Sequence, residues 1–130
     1  MAADNGDNSK CRILLVEDHL DTAKVMQRLL RDFDYDVEVA GSIQTALQVA
    51  GLGKFDIVIS DLGLPDGSGL DLMRQLRDIY PIKGIALSGY AMAEDVQKSH
   101  DAGFSQHLTK PVDLNRLRDA IREVSDQKCA

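Results

Sequence analysis

The sequence predicts a doubly wound α/β domain made of five βα units. Three observations carry this. Apolar runs of strand length recur along the chain. Each is followed by a stretch whose apolar residues repeat at helical spacing. Polar, Gly- or Pro-containing breaks separate the two kinds of segment.

The first strand is "CRILLV" (11–16), a continuous apolar run of the kind covered on both faces. From Asp21 to Phe33, the residues Ala23, Met26, Leu29, Leu30 and Phe33 recur at helical spacing. "YDVEVA" (35–40) alternates, which places it at a sheet edge with one face less buried. Ser42 is the expected N-cap of a helix carrying Ile43, Ala46, Leu47 and Ala50. "FDIVIS" (55–60) is the third strand, and a helix from about Ser68 turns Leu70, Met73 and Leu76 inward. "IKGIALS" (82–88) is the fourth strand, after the breaker Pro81. Residues 92–101 form a weaker helix with Val96 as its clearest apolar anchor. "FSQHL" (104–108) is the fifth strand. The last helix, Asp113 to about Ser125, sets Leu114, Leu117, Ile121 and Val124 on one face.

Consecutive βα units imply a parallel sheet with helices on both faces, because crossovers are right-handed. The expected result is a flavodoxin-like three-layer sandwich of strand order 2-1-3-4-5. Such sheets bind ligands beyond the C-terminal strand ends, where the order reverses. That point lies between strands 1 and 3.

Length and composition bound the function. At 130 residues the chain is one domain, expected over 11–125 with polar tails at 1–10 and 126–130. The net charge is −6 and there is no basic run, which disfavours direct nucleic-acid binding. No apolar stretch approaches the ~20 residues of a membrane span, and no secretory pattern opens the chain. Cys11 and Cys129 match no metal spacing. They are expected as free thiols in a reducing cytoplasm.

The strand ends deliver reactive groups to one edge. Glu17-Asp18 follow strand 1, Asp61 follows strand 3, Ser88 ends strand 4, and Thr109-Lys110-Pro111 follow strand 5. Each has a plain alternative. Asp61 is a common turn former, Glu17-Asp18 can cap a helix, Ser88 can sit in a turn, and Lys110 can be a solvated charge. Their joint placement argues for more. Three clustered carboxylates repel unless a cation sits among them, and hard oxygen ligands with room for phosphate oxygens suit Mg²⁺. A carboxylate can itself be the nucleophile and form an acyl phosphate.

"VED" (16–18), "DLGLPDGSGLDL" (61–72), "ALSGY" (86–90) and "LTKP" (108–111), in this order, resemble the receiver domain of two-component response regulators. The resemblance implies that Asp61 is the phosphoacceptor. It implies that Glu17, Asp18, Asp61 and the main-chain carbonyl of Gly63 hold Mg²⁺, or Mn²⁺ in its place. Ser88 would bind a phosphoryl oxygen as the switch hydroxyl, and Lys110 would pair with the phosphoryl group. The bond before Pro111 is expected cis, which aims Lys110 inward. The donor would be a histidine kinase or histidine phosphotransfer domain, in the cytoplasm or the cytoplasmic part of a larger sensor kinase. The "GIALSGY…AGFSQHLTKPVDLNRL" half resembles receivers attached to hybrid histidine kinases.

Two positions depart from the usual receiver pattern. His107 stands where Phe or Tyr often swings inward on phosphorylation, so the switch set reads Ser88, Tyr90 and His107. Tyr90 is large enough to shield an acyl phosphate from water. Gly63 offers no side chain to position an attacking water. It also argues against a haloacid-dehalogenase-like phosphatase, which needs an Asp there. A flavodoxin-like cofactor module is weaker, because the loop after strand 1 is acidic. A phosphoryl sink or relay without allosteric output, and a non-phosphorylated scaffold, are the remaining alternatives. In every receiver reading the chain is not a turnover enzyme, and its only catalysis is its own phosphorylation and dephosphorylation.

Overall fold

The structure, a computed structural model, describes residues 11–89 and 93–125, with the side chains of 93–95 left aside. The expected tails and Tyr90 lie outside the described residues. Five parallel strands form the sheet: β1 (Arg12–Val16), β2 (Asp36–Ala40), β3 (Ile57–Asp61), β4 (Lys83–Ser88) and β5 (Phe104–Thr109). Their order is β2-β1-β3-β4-β5, as expected. The helices are α1 (Leu20–Asp32), α2 (Ile43–Leu52), α3 (Gly69–Ile79), α4 (Ala93–Ala102) and α5 (Leu114–Ser125).

Strand alternation divides the core in two. Ile13, Leu15, Ile57, Ile59, Ile85 and Leu87 pack with Met26 and Leu30 of α1 and Leu117, Ile121 and Val124 of α5. Leu14, Val16, Val58 and Ala86 point the other way, onto Ala46 and Ala50 of α2 and Leu72, Met73 and Leu76 of α3. Each fully buried Leu or Ile stabilises by about 1.5–3 kcal/mol, so the central strands are the firmest part of the fold. β2 is an edge strand, as expected, but its burial does not alternate strictly: Val37 and Ala40 are buried and Val39 is half-buried.

The caps follow local chemistry. Ser42 Oγ accepts from Thr45 N at 3.1 Å, Ser68 Oγ from Leu70 N at 3.0 Å, and Asp113 Oδ1 from Asn115 N at 2.8 Å. α1 starts without a side-chain cap, so Glu17 and Asp18 are not spent on one.

Two expectations are corrected. The Gly- and Pro-rich stretch after Asp61 is not a plain loop. Gly63–Leu64 and Gly67–Ser68 pair as a small antiparallel hairpin with Pro65 and Asp66 at its tip. Cys11 is disulfide-bonded rather than a free thiol. Cys11 and Val124 share one core cluster, so distance in sequence was a poor guide.

Candidate functional site

The site lies at the C-terminal ends of β1, β3, β4 and β5. Asp61 closes β3 and is 6% exposed. Its backbone is fixed from several sides. Ser60 Oγ donates to its carbonyl at 2.8 Å, and in register Asp61 sits opposite Leu87. Gly69, the first residue of α3, passes so close that a Cβ there would run into the Asp61 carbonyl. Only glycine permits that approach.

Glu17 follows β1 directly, and its N–H donates to Ala40 O at 3.0 Å. Its side chain is fully buried. Lys110 Nζ donates to Glu17 Oε1 at 3.0 Å and to Asp61 Oδ2 at 2.7 Å. One ammonium therefore bridges two buried carboxylates. The Lys110 N–H donates to the Ser88 carbonyl at 2.7 Å, which ties the end of β4 to the same residue. The Lys110-Pro111 peptide is cis.

The charge balance is uneven. Burial pushes the Asp61 carboxyl up, Lys110 pulls it down, and the hydrogen bond and charge of Glu17 push it up again. The result is about 6. Glu17 moves the other way. Burial opposes ionisation, but hydrogen bonds from Asp61, Lys110 and the His19 N–H hold it at about 2. Desolvation works against the charged Lys110, yet both carboxylates overcome this and raise its pKa. The two carboxyls interact directly and titrate as a pair. At neutral pH two buried carboxylates share one ammonium, with Asp18 close by.

That surplus of negative charge, on hard oxygen donors from two loops, fits Mg²⁺. Asp18 is exposed, and its carboxylate, that of Glu17 and the His19 ring offer ligand atoms within 4.8 Å of one another. Gly63 is exposed on the hairpin just after Asp61. His19 was missed in the sequence, although it adjoins the acidic pair. Its Nδ1 lies 3.4 Å from both Glu17 Oε2 and Asp18 Oδ1.

His107 lies apart from this cluster. It is half-buried on β5, and its Nδ1 sits 3.0 Å from Ser99 Oγ of α4. Ser99 is 1% exposed and also donates to Val96 O at 2.8 Å. The Ser99–His107 contact joins α4 to β5. Ser99 was also unforeseen, because a lone helical Ser carries no signal of a partner on the next strand.

On the other side of Lys110 a groove of about 750 Å³ opens between α1 and the chain after β5. Val25, Met26, Leu29, Pro111, Val112 and Leu114 line it. Leu20 and Val25 on α1 are 67% and 58% exposed. Among the described residues, no helix is long and apolar enough to cross a membrane.

Comparison with known proteins agrees with this geometry. The chain is 32% identical to the response regulator protein PilR of Pseudomonas aeruginosa, over 87% of this chain and 26% of PilR. It is 33% identical to the KDP operon transcriptional regulatory protein KdpE of Escherichia coli, over 85% of this chain and 49% of KdpE. It thus spans half or less of each of these two relatives. The receiver domain of a CheY-like protein from Methanospirillum hungatei superposes with a TM-score of 0.86 at 30% identity, covering 92% of this chain and 96% of that one. Residues 13–122 match the response regulator receiver domain. The chain belongs to that family, the receiver modules of two-component signalling.

Proposed function

We propose that this receiver takes a phosphoryl group onto Asp61 from a phosphohistidine of a histidine kinase or histidine phosphotransfer domain. The observation that carries the reading is the Lys110 bridge between Glu17 and Asp61 at the sheet's switch point. Turnover of external substrates is not the activity of this family.

With a carboxyl at about 6, Asp61 is about nine-tenths ionised at pH 7 and able to attack. A carboxylate oxygen bonds to phosphorus as the P–N bond of the donor breaks. The electron pair leaves with the imidazole, and an acyl phosphate remains. The adduct adds about 1.5–2 negative charges. Lys110 already stands at the acceptor and pairs with them. The Ser88 hydroxyl donates to a phosphoryl oxygen. Mg²⁺, or Mn²⁺, held by Glu17, Asp18, Asp61 and the Gly63 carbonyl, would neutralise charge and orient the phosphoryl oxygens. The same groups serve the reverse loss of phosphate to water.

The phosphodonor's helices seat on the apolar groove beside Lys110, which brings the phosphohistidine to Asp61. Output runs the other way. A shift of Ser88 is felt by Lys110 through their main-chain hydrogen bond and passes along the chain toward α4. The face made of α4, β5 and α5 then changes, with His107 at its centre as the third member of the switch set. The protein acts in the cytoplasm or in the cytoplasmic part of a sensor kinase.

Incubation with acetyl phosphate and Mg²⁺ tests the reading. One phosphoryl group, labile to base and hydroxylamine, should appear on the wild type and not on Asp61→Asn. Equal labelling of the two would overturn it.

A further inference from the structure

We infer that Asp66 is a positioning residue for the acceptor loop, holding the Gly63 carbonyl in place by anchoring the hairpin tip to the start of α2. The inference rests on the proposed role of Gly63 as a metal ligand and deepens it.

The loop from Asp61 to Gly69 is closed at its base and pinned at its tip. At the base, Gly69 N donates to Leu62 O at 2.9 Å and Leu62 N to Leu87 O at 3.0 Å. In the middle, Gly63 pairs with Ser68 and Leu64 with Gly67. At the tip, the Asp66 carboxylate accepts from Ile43 N at 2.8 Å and Gln44 N at 3.0 Å. These two bonds lower its pKa, so the side chain is an ionised anchor at any physiological pH. Gly67 follows at φ 150. A Cβ there would meet Ile43 Cδ1 at 2.9 Å, so the tip lies directly against α2.

An ordinary helix cap would explain the two bonds if α2 lacked one. It does not, because Ser42 already caps it through Thr45 N. Asp66 adds a second anchor from another segment 22–23 residues away. A two-residue ladder has little stability of its own. Without the tip bonds, the hairpin carrying Gly63 keeps only its base, its two-residue ladder and the packing of Leu64 on the core. A group that orients a metal ligand usually accounts for 10–100-fold in affinity.

The test is a Mg²⁺ titration of the full chain, read by melting temperature and by amide NMR shifts of residues 62–68. It uses the wild type, Asp66→Ala, Asp66→Asn and Ser42→Ala. Asp66→Ala should bind Mg²⁺ about 10-fold more weakly, the low end of that range because Asp66 is exposed. Asp66→Asn, which keeps one acceptor oxygen, should recover part of the loss. Ser42→Ala weakens the same helix start without touching the hairpin. It should lower the melting temperature and leave Mg²⁺ affinity within twofold of the wild type. Wild-type affinity in Asp66→Ala overturns the inference while leaving the metal site standing. So does an equal loss in Ser42→Ala, which would make the effect one of helix stability. A wild type that does not respond to Mg²⁺ removes the metal site and the inference together, and the wild-type arm identifies that case.

Discussion

Replacing Asp61 by Asn should make the protein more stable in EDTA, and the size of the effect follows from the site. The carboxyl moves from an ordinary 3.8 to about 6, with the attraction of Lys110 already included. That gap corresponds to about 3 kcal/mol of destabilisation when Asp61 is ionised. The sign is that of an acid whose folded pKa is raised. The cost is absent below 3.8, grows as pH rises, and is complete above about 6. Asn keeps an oxygen for Lys110 and carries no charge. At pH 8 the variant should therefore gain about 2–3 kcal/mol, or about 10 °C in melting temperature for a domain of this size. At pH 5 about half the gain should remain, and at pH 4 about a fifth. Thermal and urea melts of both proteins from pH 8 to pH 4 measure this. Carboxylates other than Glu17, which interacts with Asp61 directly, titrate alike in both and cancel. Mg²⁺ should shrink the gap at pH 8 by stabilising the wild type through mass action. Equal stability at pH 8 would refute the charge argument. A gap that stays constant down to pH 4 would refute it too, because packing and not ionisation would be its source.

Lys110→Met leaves two carboxylates without their ammonium. It should cost about 1–3 kcal/mol at pH 7, less than a fully buried pair because Lys110 is a third exposed, and raise the Asp61 pKa above 6 in a carboxyl NMR titration. Glu17→Gln should lower that pKa, since Glu17 pushes it up. Gly69→Ala should cost about 1–3 kcal/mol by denaturant melt and slow labelling from acetyl phosphate, because the new methyl displaces the Asp61 backbone. Val25→Glu puts a charge on the exposed face of α1. It should slow transfer from a histidine phosphotransfer domain about 10-fold or more, and leave labelling by acetyl phosphate unchanged.

Much of the fold was legible because the central strands are buried on both faces and read as unbroken apolar runs. The strand order was then expected from the doubly wound class, in which helices cover both faces. The convergence of Glu17, Asp61 and Lys110 was legible for the same reason, because parallel strands put all their C-terminal ends on one side. What the sequence did not reveal depends on partners far along the chain. Nothing local marks Asp66 as an anchor for α2, since Pro-Asp-Gly reads first as a turn. The bond between Ser99 and His107 joins a helix to the next strand with no periodic signature. The disulfide of Cys11 depends on an approach through space, which spacing does not encode. The opposed pKa values of Glu17 and Asp61 need the distances themselves.

The two-faced core has a consequence for how this chain tolerates insertions and deletions. Ile57, Ile59 and Asp61 share one side of β3, and Ile13, Leu15 and Glu17 one side of the chain through β1. The count of residues from core to site is therefore fixed by parity. One residue added between Ile59 and Asp61 would send the carboxylate toward α2 and α3, away from Lys110. Two added residues would restore the side but overshoot the ammonium by about 6–7 Å. The turns at the opposite sheet edge carry no such constraint on the carboxylates. Length variation in descendants of this sequence is thus expected in those turns, while β1 and β3 keep their length even where their residues change.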